Sequence, residues 1–382
     1  MRRDSITATP DNAALGDQSA DRVMGDLRLE APLRAGGPNP VPMEELLRFQ
    51  HCSGASVAVI DGGEVVWERG FGTLELDSDA AVAAVTAATC FQCCSISKHV
   101  TAVGALRLVD EGRLDLDADV NHFLHAWRLP DARATGMTVT PRMLLGHTAG
   151  LTYCWYRGFG RDEPLPTRLD VLEGRPPANT PPVRVVRDQT SFRYSGSHYT
   201  VLEQLMVDVT GESFPELMHR LVLDPLGMTN SSFDQAFPQT RPDLTARGHH
   251  ADGVVVRGGW RVQPELAAAG LWTTAGDLAR LAVEIQRAHA GRGRVLSQAV
   301  VDQALTPGPD EHWGLGVQLA GEGADRRFGH GGDNVGFKAR THAYLERDQG
   351  AAVLVDGDDG TRVISTVFEA IGREYGWLTA AT

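Results

Sequence analysis

The stretch Cys93–Gly112 reads CCSISKHVTAVGALRLVDEG and predicts a buried helix whose first turn carries Ser95 and Lys98. Apolar residues recur along it at steps of three and four, as a helix face packed on a core requires: Ile96, Val100, Val103, Leu106 and Val109. Gly112 is expected to end this helix in the left-handed conformation. Residues three apart share a helix face, so the lysine amine can reach the serine hydroxyl.

A serine beside a lysine suits nucleophilic catalysis, because a serine hydroxyl is a poor nucleophile until another group takes its proton. A neutral amine can take that proton, and burial disfavours the charged form of an amine. The positive end of the helix opposes an ammonium charge and favours a developing oxyanion. The alternative is structural, with Ser95 as an N-cap and Lys98 exposed to solvent.

A tyrosine forms the second candidate element, in the stretch FRYSGSHYTVLEQL from Phe192 to Leu205. Tyr194 lies in a Gly- and Ser-rich turn just ahead of a predicted helix, where its phenol can stand at the edge of a cleft. A phenolate beside an ammonium can act as the base for Ser95 and later protonate the leaving group. The alternative is a half-buried tyrosine that anchors a loop.

A glycine-rich strand forms the third element, in FGHGGDNVGF from Phe328 to Phe337. Glycines inside a strand often mark the close approach of a ligand or another backbone, so His330, Gly331 and Gly332 are expected to line the substrate site. The backbone N–H of Asp333 is predicted to join that of Ser95 in an oxyanion hole. His330 is expected to donate a hydrogen bond in the cleft, or else to bond within the sheet.

The order of the remaining patterns predicts an α+β fold. Two β-rich runs flank Asp61-Gly62-Gly63, which is typical of a hairpin, and runs of period two return after about residue 312. The predicted fold is an antiparallel sheet of about five strands flanked by helices, with a mainly α-helical region beside it. The predicted organisation is an extension over 1–40, an α/β region over 41–115 and 230–382, and the helical region over 116–229. A substrate cleft is expected between the two regions.

Composition narrows the classes of function. The 382 residues carry a net charge of −13, which argues against nucleic-acid and anionic-membrane binding. No apolar run approaches the roughly 18 residues of a membrane span, and no apolar signal segment follows Met1, so a cytoplasmic location is predicted. The five unevenly spaced cysteines predict reduced thiols that pack in the core, with Cys90 and Cys93 forming the one C-x-x-C pair. No metal or cofactor is predicted, because the histidines, including His249-His250, form no recognised ligand set.

In order and context these elements resemble the serine β-lactamase-like superfamily, which includes class C β-lactamases, DD-peptidases and family VIII-type esterases. SISK resembles the family's S-x-x-K, YSG stands where it has Y-x-N, and HGG where it has K-T-G. LLGHTAGLT, DPLGMTNSSF and AAAGLWTTAGDLAR resemble three supporting stretches, and the resemblance spans roughly residues 45 to 375.

The resemblance implies roles for individual residues. Ser95 is the acylated nucleophile, Lys98 its proton-accepting partner and Tyr194 the second general base and acid. His147 and Thr148 are expected to be structural. Three aromatic residues are candidate cleft walls by position, with core packing as the alternative: Tyr153, Trp155 and Trp272.

Two positions depart from the family pattern. Gly196 replaces the asparagine of Y-x-N, and His330 replaces the lysine of K-T-G. Loss of a fixed cation favours uncharged acyl donors over carboxylate-bearing ones. The predicted function is a serine hydrolase that cleaves an ester or amide of a small-molecule acyl substrate. The alternatives are an acyltransferase to an amine, alcohol or thiol, and a non-catalytic homologue that binds acyl compounds; no oligomeric state is predicted.

Overall fold

The computed structural model describes residues 10–30, 33, 37–76, 83–130, 138–186 and 191–377, with side chains from residue 16 onward. Within these residues, the chain forms one six-stranded sheet and a separate two-stranded sheet. The strands are β1 (Gly54–Asp61), β2 (Glu64–Gly72), β3 (Phe91–Gln92), β4 (Trp272–Thr273), β5 (Gln318–Ala320), β6 (Arg327–Asn334), β7 (Phe337–Tyr344) and β8 (Gly350–Val355).

The large sheet is antiparallel throughout, in the order β2-β1-β8-β7-β6-β5. The predicted hairpin is present, with Gly62 and Gly63 at φ of 58° and 73° between β1 and β2. Two successive positive φ values are what a type I′ turn needs, and glycine adopts them without a steric penalty. The α+β prediction is confirmed, although the sheet has six described strands where about five were expected.

Helices cover both faces of this sheet. The α-helices are α1 (Pro10–Met24), α2 (Met43–Phe49), α3 (Ile96–Asp110), α4 (Val120–Phe123), α5 (Pro141–Leu145), α6 (Arg168–Glu173), α7 (Gly196–Thr210), α8 (Phe214–Met218), α9 (Asp224–Leu226), α10 (Phe237–Thr240), α11 (Leu266–Ala269), α12 (Ala275–His289), α13 (Gln298–Ala304) and α14 (Thr361–Glu374). A π-helical turn spans His219–Leu223, and 3₁₀ turns span Pro242–Leu244 and Gly323–Asp325. On one face α14 packs on β7 and β8, while α1 and α2 pack on β2; on the other face lie α12 and α3.

The helix that carries Ser95 and Lys98 is the centre of the larger core. α3 contacts β6 on one side and α7, α11 and α13 on others, so nearly all of its side chains are buried. A helix that is enclosed on all sides must also bury its polar residues, and Ser97, Lys98 and Thr101 are among them. These polar groups therefore need partners inside the protein.

The N-terminal segment contains a helix that the sequence analysis did not predict. α1 packs against α14 and β2, and it buries Ala20 and Val23 in a second apolar cluster. The proposed division of the chain into an extension and two regions stays a prediction. Among the described residues, no helix is both long and apolar enough to cross a lipid bilayer.

Candidate active site

Ser95 and Lys98 meet at the start of α3. Ser95 is the N-cap residue, yet its hydroxyl caps no backbone N–H; instead Lys98 Nζ donates to Ser95 Oγ at 3.2 Å. The residue before it, Cys94, has a φ of 57°, which is uncommon outside glycine and turns the chain sharply into the helix. Lys98 is only 3% exposed, so the alternative of an exposed lysine does not hold.

The Lys98 amine has a fixed position. Nζ also donates to the carbonyl oxygen of Ala268 in α11 at 2.7 Å. It lies 5.0 Å from the centre of the Tyr194 ring and 5.9 Å from that of Tyr199. The adjacent turn of α11 is itself anchored, because the buried Glu203 carboxylate accepts the Ala267 N–H at 2.9 Å. The structure thus brings together the hydroxyl of Ser95, the amine of Lys98 and the ring of Tyr194.

Tyr194 is held in place by His147. The His147 carbonyl oxygen accepts a hydrogen bond from the Arg193 N–H at 2.9 Å. Nδ1 of the His147 ring accepts one from the Ser195 N–H at 3.4 Å. The two rings are 4.5 Å apart between centres. His147 is fully buried, and burial, together with His198 and Lys98, holds its pKa well below the ordinary value. His147 therefore bonds to the peptide N–H groups of the residues before and after Tyr194, and its neutral ring packs on that of Tyr194. This is the structural role expected for His147.

His330 reaches the same cluster from β6. Its ring lies 6.2 Å from that of Tyr194 and 5.4 Å from that of Trp313. Nδ1 is 2.6 Å from the carbonyl oxygen of Gly331, so Nδ1 carries the proton and donates it to that oxygen. Burial, followed by the nearby Lys98 charge, lowers the pKa of His330 to about 3. The ring is therefore neutral, and its donor nitrogen bonds within β6, which is the alternative stated for this side chain. Nε2 is an acceptor that is buried and has no partner in the described part of the chain.

The two glycines after His330 have different surroundings. A Cβ at Gly332 would lie 2.4 Å from the Cys93 carbonyl oxygen and 2.9 Å from Cys94 Cβ, whereas a Cβ at Gly331 would meet nothing within 4 Å. β6 therefore runs directly against the turn that precedes Ser95, with Gly331 facing open space. β5 pairs only with the beginning of β6, up to Gly329. The Asp333 amide as an oxyanion donor stays a prediction; the Asp333 carboxylate accepts from Lys338 Nζ at 2.6 Å.

Gly196 is the first residue of α7, and its missing side chain is replaced by an aromatic ring. A Cβ at this position would lie 2.4 Å from Cε2 of Tyr156. The Tyr156 hydroxyl is fixed by a 2.6 Å hydrogen bond with Thr200 Oγ1. Tyr156 thus occupies the space that an asparagine side chain would need. The sequence analysis missed Tyr156, because its contact with Gly196 joins residues 40 positions apart.

The three aromatic candidates for cleft walls have different environments. Tyr153 and Trp155 are 44% and 49% exposed. Trp272 is fully buried between Trp260 and Phe337, with ring centres 5.3 and 5.9 Å away. Trp272 is therefore a core residue, which is the alternative stated for it, and it does not form a cleft wall.

The cysteines and histidines form no metal site in the described part of the chain. All five cysteines are free and buried. Burial raises the pKa of Cys90 and Cys93 to about 12, so these thiols stay protonated beside the site. The C-x-x-C pair is thus part of the core packing around the turn that carries Ser95.

Comparison with known proteins places this arrangement in a family. The family model described as Beta-lactamase matches residues 43–370. This chain belongs to the β-lactamase family. The resemblance stated from the SISK, YSG and HGG motifs is confirmed, and membership places the chain among the β-lactamase-like serine hydrolases.

The family's members that resemble this chain carry several names. A putative penicillin-binding protein PbpX of Bacillus subtilis is 24% identical over 265 residues, which are 69% of this chain and 61% of PbpX. Esterase EstB of Burkholderia gladioli is 29% identical over 210 residues, which are 51% of each chain. The match thus spans less than two thirds of either relative.

Among solved structures, the octameric penicillin-binding protein homologue from Pyrococcus abyssi has the same fold, with a TM-score of 0.71. That match has 23% identity over 87% of this chain and 75% of the other.

Proposed function

We propose that this protein is a serine hydrolase that cleaves an ester or amide through an acyl-enzyme formed on Ser95. The observation that carries the proposal is the 3.2 Å contact between Lys98 Nζ and Ser95 Oγ, with the Tyr194 ring 5.0 Å from the same nitrogen. A nucleophile, an amine and a phenol that converge at a helix N-terminus are the groups that acyl transfer requires.

In the proposed reaction, Ser95 Oγ bonds to the carbonyl carbon of the substrate while an unprotonated Lys98 or Tyr194 takes the Oγ proton. The tetrahedral intermediate carries its negative charge on the former carbonyl oxygen, beside the Ser95 N–H at the positive end of α3. The bond to the leaving group then breaks as Tyr194 or Lys98 returns the proton to the departing oxygen or nitrogen. Water repeats the sequence on the acyl-enzyme and releases the acid.

The environment of His330 supports an uncharged acyl group next to the scissile bond. A neutral imidazole whose free nitrogen is an acceptor offers no cation to a carboxylate there. Its second ring nitrogen, Nε2, is buried and has no hydrogen-bond partner among the described residues. The space beside Gly331 leaves room for the substrate at this strand. A small-molecule acyl substrate is the proposed ligand, and the cytoplasmic location stays a prediction.

Acyl transfer to an amine, alcohol or thiol shares the acylation half of this reaction and differs only in what attacks the acyl-enzyme. Product analysis by mass spectrometry with such acceptors present separates the two functions. Hydrolysis predicts the free acid as the main product; exclusive formation of the acceptor ester, amide or thioester would replace the hydrolase by a transferase.

The test of the proposed function is turnover of 4-nitrophenyl butyrate by the wild type and by Ser95→Ala. Loss of the nucleophile is expected to reduce kcat by a factor of about 10³ or more. Ser365→Ala is a matched control, since its hydroxyl donates to the nearby Arg362 carbonyl in α14, across the sheet from Ser95. Full activity in Ser95→Ala, with the control also active, would rule out the proposed mechanism.

A further inference from the structure

The extended segment Tyr153–Gly158 lies beside the site and alternates in direction along its length. Cys154 and Tyr156 point inward and are buried, whereas Tyr153, Trp155 and Arg157 point outward and are exposed. Such a period of two gives a segment one face for the core and one for solvent. The inward face packs beside the site through Tyr156, and the outward face is open to solvent.

The inward face fixes this segment to the turn that carries Tyr194. The Cys154 N–H donates to Ser195 Oγ at 2.9 Å, and the Cys154 carbonyl accepts the Gly196 N–H at 2.9 Å. The segment therefore pairs with the two residues that directly follow Tyr194. Its outward side chains therefore belong to a segment that lies next to the turn carrying Tyr194.

Positive charge accompanies the exposed aromatic rings. The Arg193 guanidinium lies 4.9 Å from the centre of the Tyr153 ring. Arg157 and Arg184 are exposed, and Arg184 pairs through its backbone with Thr152. In the described ranges none of these three arginines forms a salt bridge with a carboxylate, although the whole chain has a net charge of −13. Three cations that pair with no carboxylate among the described residues, on an acidic protein, favour an anionic ligand.

We propose that these five residues, which we call the arginine–aromatic rim, bind a carboxylate or phosphate carried by the substrate at some distance from its scissile bond. The rim consists of Tyr153, Trp155, Arg157, Arg184 and Arg193. A guanidinium matches the geometry of both oxyanions, and the two aromatic faces bury the apolar linker that leads to them. The inference rests on the proposed function and adds the chemical class of the substrate.

The neutral His330 and the cationic rim together predict a dependence on distance. An anionic group next to the scissile carbonyl meets the uncharged imidazole of His330. An anionic group at the end of a longer apolar chain reaches the arginines of the arginine–aromatic rim. The substrate is thus expected to be an ω-anionic ester or amide with an apolar spacer. Substrates that carry their carboxylate directly beside the reacting bond are not expected to be preferred.

The experiment compares 4-nitrophenyl monoesters of adipic, suberic and sebacic acid with their methyl-capped neutral counterparts. For the wild type, kcat/KM at the best chain length is expected to be about tenfold higher for the free ω-carboxylate than for its methyl-capped form. Each exposed charge contact contributes a factor of up to about five. Arg157→Gln combined with Arg184→Gln is expected to bring the ratio close to one. About 0.5 M salt is expected to lower it as well, because exposed charges are screened. Octyl phosphate and octanoate as competitors show whether phosphate or carboxylate binds better.

Arg362→Gln is the matched control, since Arg362 is exposed in α14, which packs on the opposite face of the sheet. It is expected to retain the wild-type ratio. A second readout does not depend on turnover: Ser95→Ala is titrated with the suberate monoester and its methyl-capped form, and Kd is followed by tryptophan fluorescence. Preference for the anionic form in Kd, lost in the double arginine variant, supports the rim even if no ester is hydrolysed. Wild-type turnover with no preference for the ω-carboxylate, or a preference that persists in the double variant, would overturn it.

Discussion

Gly332, in β6, packs closely against the turn that carries Ser95. Its replacement by alanine is the sharpest structural test of that contact. The added Cβ would lie 2.4 Å from the Cys93 carbonyl oxygen and 2.9 Å from Cys94 Cβ. Both are parts of buried backbone or of a short side chain, so neither can rotate away. The strand β6 and the start of α3 must therefore move apart.

The size of that movement sets the expected effect. Relieving a 2.4 Å contact to an ordinary separation requires a displacement of about 1 Å or slightly more. A misplacement of about 1 Å in an active site can cost a factor of about 10² in rate, and the loss of one oxyanion donor costs about 10²–10³ in kcat. Overpacking in a core typically costs about 1–3 kcal/mol of stability. Gly332→Ala is therefore expected to lower kcat about 100-fold and to lower Tm by several degrees.

The assay is steady-state hydrolysis of 4-nitrophenyl butyrate, with Tm measured on the same samples. Gly331→Ala is the matched control, because a Cβ one residue earlier would meet nothing within 4 Å. The control is expected to keep its Tm and most of its kcat, since the new methyl group meets no atom within 4 Å. A Gly332→Ala variant with wild-type kcat would refute the close approach of β6 to the nucleophile's turn.

Three further predictions concern the surroundings of the site. Burial raises the pKa of Glu265 to about 8, from an ordinary value of 4.5. The folded state is therefore not penalised below about pH 4.5, and it loses stability progressively as the pH rises from there to about 8. Glu265→Gln is thus expected to be more stable than the wild type by about 3 kcal/mol at pH 7, with no difference near pH 4 in a pH series of thermal melts; equal melts at pH 8 would contradict this. Gly196→Asn is expected to lower Tm and activity by collision with Tyr156, and a second change, Tyr156→Ala, to recover part of the Tm; an undisturbed single variant would contradict the contact. His147→Asn removes the ring beside Tyr194, while asparagine still tolerates the φ of 55° at this position. The kcat of this variant is expected to fall about tenfold with little change in KM. A change confined to KM would argue against a positioning role for His147.

The parts of the fold that depend on local periodicity were predictable from the sequence. The two successive glycines at Gly62-Gly63 are typical of a hairpin turn, and the run of apolar residues after Ser95 predicted a buried helix. The structure buries that helix on all sides, whereas the sequence predicted one apolar face. The pairing of Ser95 with Lys98 follows from helix geometry alone, as their spacing of three residues is a property of the sequence.

The parts that depend on long-range contacts were not predictable. The proton position on His330 is set by the Gly331 carbonyl, whose direction follows from the path of β6. Trp272 lies in a two-residue strand, too short for a pattern to show which way its side chain points. Part of the anchorage of helix α1 comes from ion pairs of Arg69 with Asp17 and Asp21, about 50 residues away in sequence, which no local pattern shows.

The most direct test of the account is to locate the covalent adduct by peptide mass spectrometry after brief treatment with a fluorophosphonate or a slowly hydrolysed ester. The account predicts one stoichiometric adduct on the peptide that contains Ser95, slower labelling in Lys98→Met and none in Ser95→Ala. An adduct on another residue, or ester turnover that continues with Ser95 unmodified, would contradict it.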